Sequence, residues 1–185
     1  KEKMITQLNL VNEKLEDYSK NLEKMVEHRT EELNEAHSFL TAMVNSLDQG
    51  LVVFDKEGKC NNVFTQAALT LFDKNPEGMS YSNLIGVTDD SEATNILKWT
   101  GIVFKDTIPF KSSKALGPTK IIRGEDYTDP MFKHIKLDYY PMRDKENNIQ
   151  NIVAVATDKT KEVIVNENFK KQESYVRMVL KMTNN

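Results

Sequence analysis

The chain has 185 residues, of which 39% are hydrophobic and 29% are charged, and its formal net charge is -3. This composition is typical of one globular domain with an appendage and excludes a disordered chain. A pI near 5.7 gives no field that attracts phosphates, so we expect no nucleic-acid partner. The longest apolar runs, LVVF at 51–54 and IVAVA at 152–156, are far too short to span a membrane.

The single cysteine, Cys60, excludes an internal disulfide and a cysteine-rich metal site. No charged and apolar leader stands at the amino end, and the chain begins with Lys1, so we expect it to be a piece of a longer protein. We predict a cytoplasmic location. Any membrane contact is expected only through a segment upstream of the chain.

The first predicted element is one long helix from Lys3 to about Ser46, a stretch without proline or glycine. Apolar residues recur along it at spacings of four and three, which is the seam of a coiled coil. The first part of this seam is formed by Met4, Leu8, Val11, Leu15, Tyr18, Leu22 and Met25.

A second seam continues the helix in a shifted register. It begins at Val26 and is formed by Leu33, Ala36, Leu40, Met43 and Leu47. The shift is an insertion of four residues, a stutter, which locally unwinds a supercoil. A thin apolar stripe on a helix of this length needs a partner, so we predict a parallel homodimer.

After Gly50 the pattern changes to short strands and short helices. Strands are predicted at 51–54 and through Val63, a helix at 65–72, and a further helix from Asp89 or Asp90 to about Phe104. Prolines and glycines interrupt 108–130, where we predict one strand near 120–123.

Two longer strands, at 134–140 and 151–157, are predicted to form an antiparallel hairpin, the first ending at Pro141. A second long helix follows from Lys161 to about Thr183, with Asp158 or Thr160 as its amino-terminal cap. Its apolar residues again have coiled-coil spacing, at Val165, Phe169, Gln172, Val176 and Val179.

This order of elements, and the text SLDQGLVVFDKEGKCNNVFTQAALTLFD at 46–73, resembles the PAS family. GMSYSNLIG at 78–86 resembles the loop after the family's first helix, and IVAVATDKTKE at 152–162 resembles its closing strand. Thr65 stands where the family often has Asn, and Asp73 where it often has Gly. The resemblance implies an α+β fold, a five-stranded antiparallel sheet with helices on one face, preceded by a coiled-coil helix and followed by an exit helix.

The predicted domains are a signalling helix at 1–47, a PAS sensory domain at 48–160 and an exit helix at 161–185. In the family, the closing Asp-x-Thr, here Asp158 and Thr160, is implicated in passing a conformational change outward. The stretch LEKMVEHRTEELNEA at 22–36 resembles the linker helix that often precedes such domains in sensor histidine kinases of two-component systems.

No catalytic or metal site is predicted. His28, His37 and His134 have no ligand spacing around them, and no proline follows His28 by four residues, as the phosphoacceptor motif of a kinase requires. Haem-binding relatives often use a histidine on the long middle helix, which has none here. Flavin-adduct relatives use Asn-Cys-Arg-Phe there, whereas Cys60 lies in a strand and reads as a small buried residue. We therefore expect neither haem nor flavin.

The sequence predicts a non-catalytic sensory and relay module linked to an output domain downstream. One alternative is that it regulates an enzyme in the same protein, such as a histidine kinase, nucleotide cyclase or phosphodiesterase. Another is that it is a purely structural dimer spacer with a filled core. A ligand pocket, if the core is not filled, is predicted to be lined by Phe54, Trp99, Phe104, Tyr139 and Val153.

Overall fold

The structure is a computed structural model that describes residues 2–183. Its helices and strands, in chain order, are α1 (Glu2–Ser46), β1 (Gly50–Phe54), β2 (Cys60–Phe64), α2 (Gln66–Phe72), α3 (Tyr81–Leu84), α4 (Asp90–Lys105), α5 (Phe110–Lys114), β3 (Lys120–Arg123), β4 (Lys133–Arg143), β5 (Ile149–Asp158) and α6 (Thr160–Thr183). Between residues 2 and 183, no helix combines the length and the apolar character needed to cross a bilayer.

The chain divides between Ser46 and Leu47 into two compact units. The first unit is α1, whose 45 residues form one uninterrupted helix, as the sequence predicts. Asp48 follows it with a φ of 50°, a left-handed conformation that cannot continue a helix. The domain boundaries predicted from the sequence stay a prediction.

The second unit contains a five-stranded antiparallel sheet in the order β2-β1-β5-β4-β3. The four short helices α2 to α5 lie between β2 and β3 in the chain. They pack on one face of the sheet, because the strand residues of the core alternate and share that face: Val52, Phe54, Ile135, Leu137, Tyr139, Ile152, Ala154 and Ala156. The predicted fold class is therefore confirmed.

Local chemistry explains where the helices begin. The Thr65 hydroxyl accepts a hydrogen bond from Ala68 N–H at 3.3 Å, and Asp89 Oδ2 accepts one from Glu92 N–H at 2.9 Å. Both side chains cap amides in the first turn of a helix. Thr65 Oγ1 also accepts from Leu51 N–H at 3.0 Å, which ties the start of α2 to β1.

Two sequence predictions need correction. The strand predicted to end at Pro141 continues to Arg143, with Pro141 paired to Ile152. β3 pairs with β4 only as far as Lys136, so Pro141 lies where β4 has one open side and a missing N–H is tolerated. The helices α3 and α5 were not predicted, because four and five residues are too few to produce a helical period.

Candidate functional site

Three of the five residues predicted to line a pocket meet in the interior, together with Tyr81. The ring of Phe54 stacks on that of Tyr81 with 4.4 Å between centroids, and Trp99 lies 4.8 Å from Tyr139. Tyr81 and Tyr139 meet edge to face at 6.1 Å. These four side chains are at most 4% exposed. They fill the space between the sheet and α4 with one another.

The polar atoms of this aromatic cluster have partners within the protein. Tyr139 Oη donates to the Pro118 carbonyl at 2.7 Å, so the 2.9 Å bond between the two tyrosine hydroxyls uses the proton of Tyr81. Trp99 Nε1 donates to the Ser113 carbonyl at 2.9 Å. Burial raises the pKa of both tyrosines well above the ordinary value, so both are neutral at physiological pH.

The other two predicted pocket residues lie elsewhere. Phe104 is half-buried at the border of the core. Val153 lies on the opposite face of the sheet, because it alternates with Ile152 and Ala154, which are buried under the helices. The prediction that Val153 lines the pocket was therefore wrong, because its neighbours Ile152 and Ala154 are the residues that face the helices.

A groove of about 680 Å³ lies beside the cluster rather than inside it. It runs between the loop at 85–89, the first half of α4 and residues 116–122, and of the predicted pocket residues it contacts Trp99 alone. Gly117 forms part of the wall of this groove. Glycine is needed there because a Cβ on residue 117 would lie 2.3 Å from Cε2 of Trp99.

The predicted relay residues lie where β5 ends and α6 begins. Asp158 Oδ1 accepts a hydrogen bond from Thr160 N–H at 2.8 Å. Thr160 Oγ1 accepts from His134 N–H at 3.0 Å, and Lys159 N–H donates to the His134 carbonyl at 2.8 Å. We call Asp158, Lys159, Thr160 and His134 the junction. It joins the first turn of the exit helix to the first residues of β4.

The entry to the sheet lies beside this exit. Gly50, the first residue of β1, pairs with Ala156 near the end of β5, and Gln49 Nε2 donates to Thr157 Oγ1 at 3.4 Å. The Thr65 hydroxyl donates to the Gln49 carbonyl at 2.9 Å. Chain entering β1 and chain leaving β5 therefore share one end of the sheet.

The ionisation of Asp158 matches its bonding. Burial opposes the charged form of this carboxyl, but the hydrogen bonds from Thr160 and the charges of Lys133 and Lys161 together hold the pKa below its ordinary value. Asp158 is therefore ionised at neutral pH and remains an acceptor for the first amide of α6.

Cys60 and the histidines occupy positions without evident reactivity. Cys60 is 1% exposed, and burial, followed by the charge of Asp55, raises the pKa of its thiol to about 12. His28 is exposed and lies 3.4 Å from Glu32. In the part of the chain that the structure describes, no group of His, Cys, Asp or Glu has the arrangement of a metal site.

The predicted seam residues of α1 are all exposed in the single chain. Among the large apolar side chains of the seam, the exposed fraction ranges from 50% at Met43 to 73% at Tyr18. Their role in dimerisation stays a prediction.

Sequence reasoning missed Tyr81 and the role of His134. Tyr81 was interpreted as part of a loop, whereas it is the first residue of α3, and Ser80 is the cap of that helix. His134 contributes through its backbone, for which no side-chain pattern exists. The available signal was the start of β4 at Lys133, which makes the backbone of His134 part of the sheet.

Neither a protein-family model nor a curated protein sequence matches the chain. Among solved structures it is similar to the PAS domain of BvgS from Bordetella pertussis, with 15% identity and a TM-score of 0.45 over 76% of this chain and 98% of that one. It is also similar to a sensory box sensor histidine kinase from Vibrio cholerae, with 10% identity and a TM-score of 0.35 over 70% and 93% of the two chains.

A third similar structure is a light-oxygen-voltage domain studied with a flavin analogue, with 18% identity and a TM-score of 0.41 over 75% of this chain and 95% of that one. The strand order and the four helices between β2 and β3 give this chain the PAS fold.

Proposed function

We propose that this chain is the sensory and signal-relay PAS module of a bacterial signal-transduction protein. Two copies associate in parallel through the α1 seam, and α6 carries a conformational change to an output domain that follows. The observation that carries the proposal is the junction, in which one short turn bonds β5, β4 and α6 together.

The junction can act as a relay because its bonds cannot all persist when the strands shift. His134 belongs to β4, whereas Asp158 ends β5. Thr160 Oγ1 accepts a hydrogen bond from His134 N–H, and Thr160 N–H donates one to Asp158. A twist or slide of β4 against β5 therefore changes the direction in which α6 starts. Packed elements of this kind switch between discrete arrangements rather than deforming smoothly.

The exposed seam supports the dimer. A helix of 45 residues with its leucines exposed buries no apolar surface by itself. Isolated helices gain most of their stability from packing of an apolar face, and a parallel second copy presents the same stripe in the same order. The stutter near Val26 is a second place where two packings of such a dimer would be close in free energy.

Catalysis in this proposal belongs to another domain of the full-length protein. The core holds the two neutral tyrosines and the Cys60 thiol, whose pKa is about 12, and none of these three groups exchanges protons efficiently near neutral pH. Haem or a flavin adduct is not part of the proposal. α4 carries no histidine, and Cys60 lies on β2. We place the module in the cytoplasm, where a lone cysteine stays reduced.

One alternative has an observation in its favour. The buried rings of the aromatic cluster pack directly on one another, as expected for the filled core of a purely structural dimer spacer. The spacer and the relay differ in what the junction does, because a spacer needs the junction only for stability.

The decisive comparison is Thr160→Val against Thr160→Ser in the full-length protein with its output domain. Valine keeps the size of the side chain but removes the acceptor for His134 N–H, whereas serine keeps the hydroxyl. We expect Thr160→Val to change the output activity severalfold and Thr160→Ser to leave it near the original level.

Hydrogen exchange on the 185-residue chain supplies the structural readout. In Thr160→Val we expect faster exchange in the first turn of α6 with the core of the sheet still protected. An unchanged output in a Thr160→Val protein with an altered first turn would reject the relay and favour the spacer.

A further inference from the structure

A second contact holds α6 to its own domain well beyond the junction. Lys171 Nζ lies 4.9 Å from the centre of the Tyr127 ring. Tyr127 belongs to the connection between β3 and β4. Lys171 is eleven residues after Thr160, so the two contacts are about 16 Å apart along the helix. Attachment at two separated points restricts the rotation of a helix about its axis more than attachment at one end does.

The connection that carries Tyr127 is internally fixed. We call residues 124–132 the tether loop. Asp126 Oδ1 accepts from the hydroxyl and the N–H of Thr128 at 2.6 and 2.7 Å, and Asp129 accepts from Glu125 N–H at 3.0 Å. Gly124 has a φ of 83°, which a residue with a side chain rarely adopts. A loop with these bonds holds the Tyr127 ring in a defined place.

The residues of α6 that face the domain form one stripe. Val163, Ile164 and Glu167 are half-buried, while Lys161, Glu162, Val165 and Asn166 between them are exposed. At about 100° per residue, the half-buried residues lie with Thr160 and Lys171 in a stripe about 100° wide. We call this stripe the docked face of α6.

The apolar seam of α6 lies on the other side of the helix. Its residues Val165, Phe169, Gln172 and Val176 centre about 150° from the docked face on the same helical wheel. Val165 and Phe169 are 66% and 67% exposed, and Val176 is 54% exposed. A second copy of the chain can therefore contact the seam while the docked face stays on its own domain.

We propose that the tether loop sets the rotational position at which α6 presents its seam to the second copy. The inference rests on the dimer of the proposed function and adds the element that regulates it. The contact between Lys171 and Tyr127 is a cation–π interaction at an exposed site, which changes a population by about two- to fivefold. A change in the tether loop therefore rotates the exit seam without unfolding the domain.

The test is a scan of single cysteines along α6 in the 185-residue chain, with disulfide formation between copies measured on non-reducing gels. The native Cys60 should form no disulfide between copies, because it is 1% exposed and its thiol has a pKa of about 12. We expect the most cross-linking at positions 165, 169, 172 and 176. At Glu167, on the docked face, we expect it to be at least about tenfold lower.

The scan is then repeated in Tyr127→Leu and in Lys171→Gln. Each variant removes one side of the same contact, and Lys171 is exposed, so its replacement leaves the domain folded. We expect both to move the cross-linking maximum to neighbouring positions or to broaden it. Tyr140→Leu and Lys170→Gln are the matched controls, since Tyr140 also lies under a lysine, Lys114, but away from α6.

The outcomes separate the two proposals. Cross-linking that peaks at the seam and keeps the same pattern in Tyr127→Leu and Lys171→Gln would overturn the role of the tether loop and leave the dimer intact. Absence of cross-linking at every seam position of α6 in the unaltered background would overturn the present inference, and the mass of the same chain in solution tests the α1 dimer separately.

Discussion

Leucines lie exposed along α1, whereas those in the core of the following unit are buried. Leu15 and Leu22 are 59% and 62% exposed, whereas Leu84 and Leu137 are 0% and 4% exposed. In the second unit, a sheet covered by helices buries the core residues within one chain. The first unit leaves its leucines exposed, and we propose that a second copy of the chain covers them. The comparison teaches that composition alone does not distinguish a core from an interface, whereas the spacing of the residues does.

The largest expected effect is on the self-contained region. Phe54→Ala removes a ring that is 0% exposed and stacked on Tyr81. We expect the free energy of unfolding to fall by about 3–5 kcal/mol. Urea unfolding followed by the fluorescence of Trp99, the only tryptophan, measures it. Val63→Ala, at a side chain that is 58% exposed on the next strand, should change it by under about 0.5 kcal/mol. A loss below about 1 kcal/mol for Phe54→Ala would show that the cluster does not fill the interior.

The next effect concerns the region that depends on association. Leu15→Glu places a charge in the proposed seam and removes burial of about 1.5–3 kcal/mol per chain. Light scattering should give a mass near 21.3 kDa instead of twice that value. The unfolding transition of Trp99 should stay unchanged. Asn9→Glu adds the same charge off the seam and should leave the dimer intact. A Leu15→Glu chain of unaltered mass would contradict the seam.

A pair of matched glycine substitutions sharpens the description of the interior. An alanine at Gly117 would place its Cβ 2.3 Å from Trp99, whereas one at Gly101 would meet nothing within 4 Å. We expect Gly117→Ala to lower the free energy of unfolding by about 1–3 kcal/mol. Gly101→Ala, in the interior of α4, should raise it by about 0.5–1 kcal/mol. Equal effects of the two changes in thermal unfolding would refute the close approach of Trp99 to Gly117.

The smallest effect is electrostatic. Lys114 Nζ donates to Asp138 Oδ1 at 2.6 Å and holds the pKa of this carboxyl below its ordinary value. Because the folded pKa is the lower one, the pair adds stability above about pH 4, and this stability is lost as the pH falls toward the folded pKa. The side chains are 28% and 38% exposed, so the contribution is at most about 1 kcal/mol.

Asp138→Asn should therefore destabilise the second unit at neutral pH, and this loss should shrink as the pH falls below about 4 toward the lowered folded pKa of the carboxyl. Unfolding in urea at a series of pH values measures the difference. Glu77→Gln, at an exposed residue, is the control. A loss in Asp138→Asn that is equally large in acid would mean that charge is not its cause.

Much of the fold could be predicted because local chemistry determines it. The cap at Asp89, the strand at 120–123 and the two long helices follow from residue types and periodicity over short distances. The candidate site was predicted in part. Phe54, Trp99 and Tyr139 do meet, but Val153 was assigned to the wrong face, since a slip of one residue in a strand exchanges its faces.

The sequence by itself determined the long helices, their seams, the hairpin and the closing Asp158 and Thr160, because each depends on neighbours a few residues apart. Only the tertiary structure decided that Tyr81 completes the aromatic cluster, that His134 bonds the start of α6, and that Lys171 reaches Tyr127. These contacts join residues 26 to 58 positions apart in the chain. Folding of the whole sheet brings them together, and no local pattern encodes such distances.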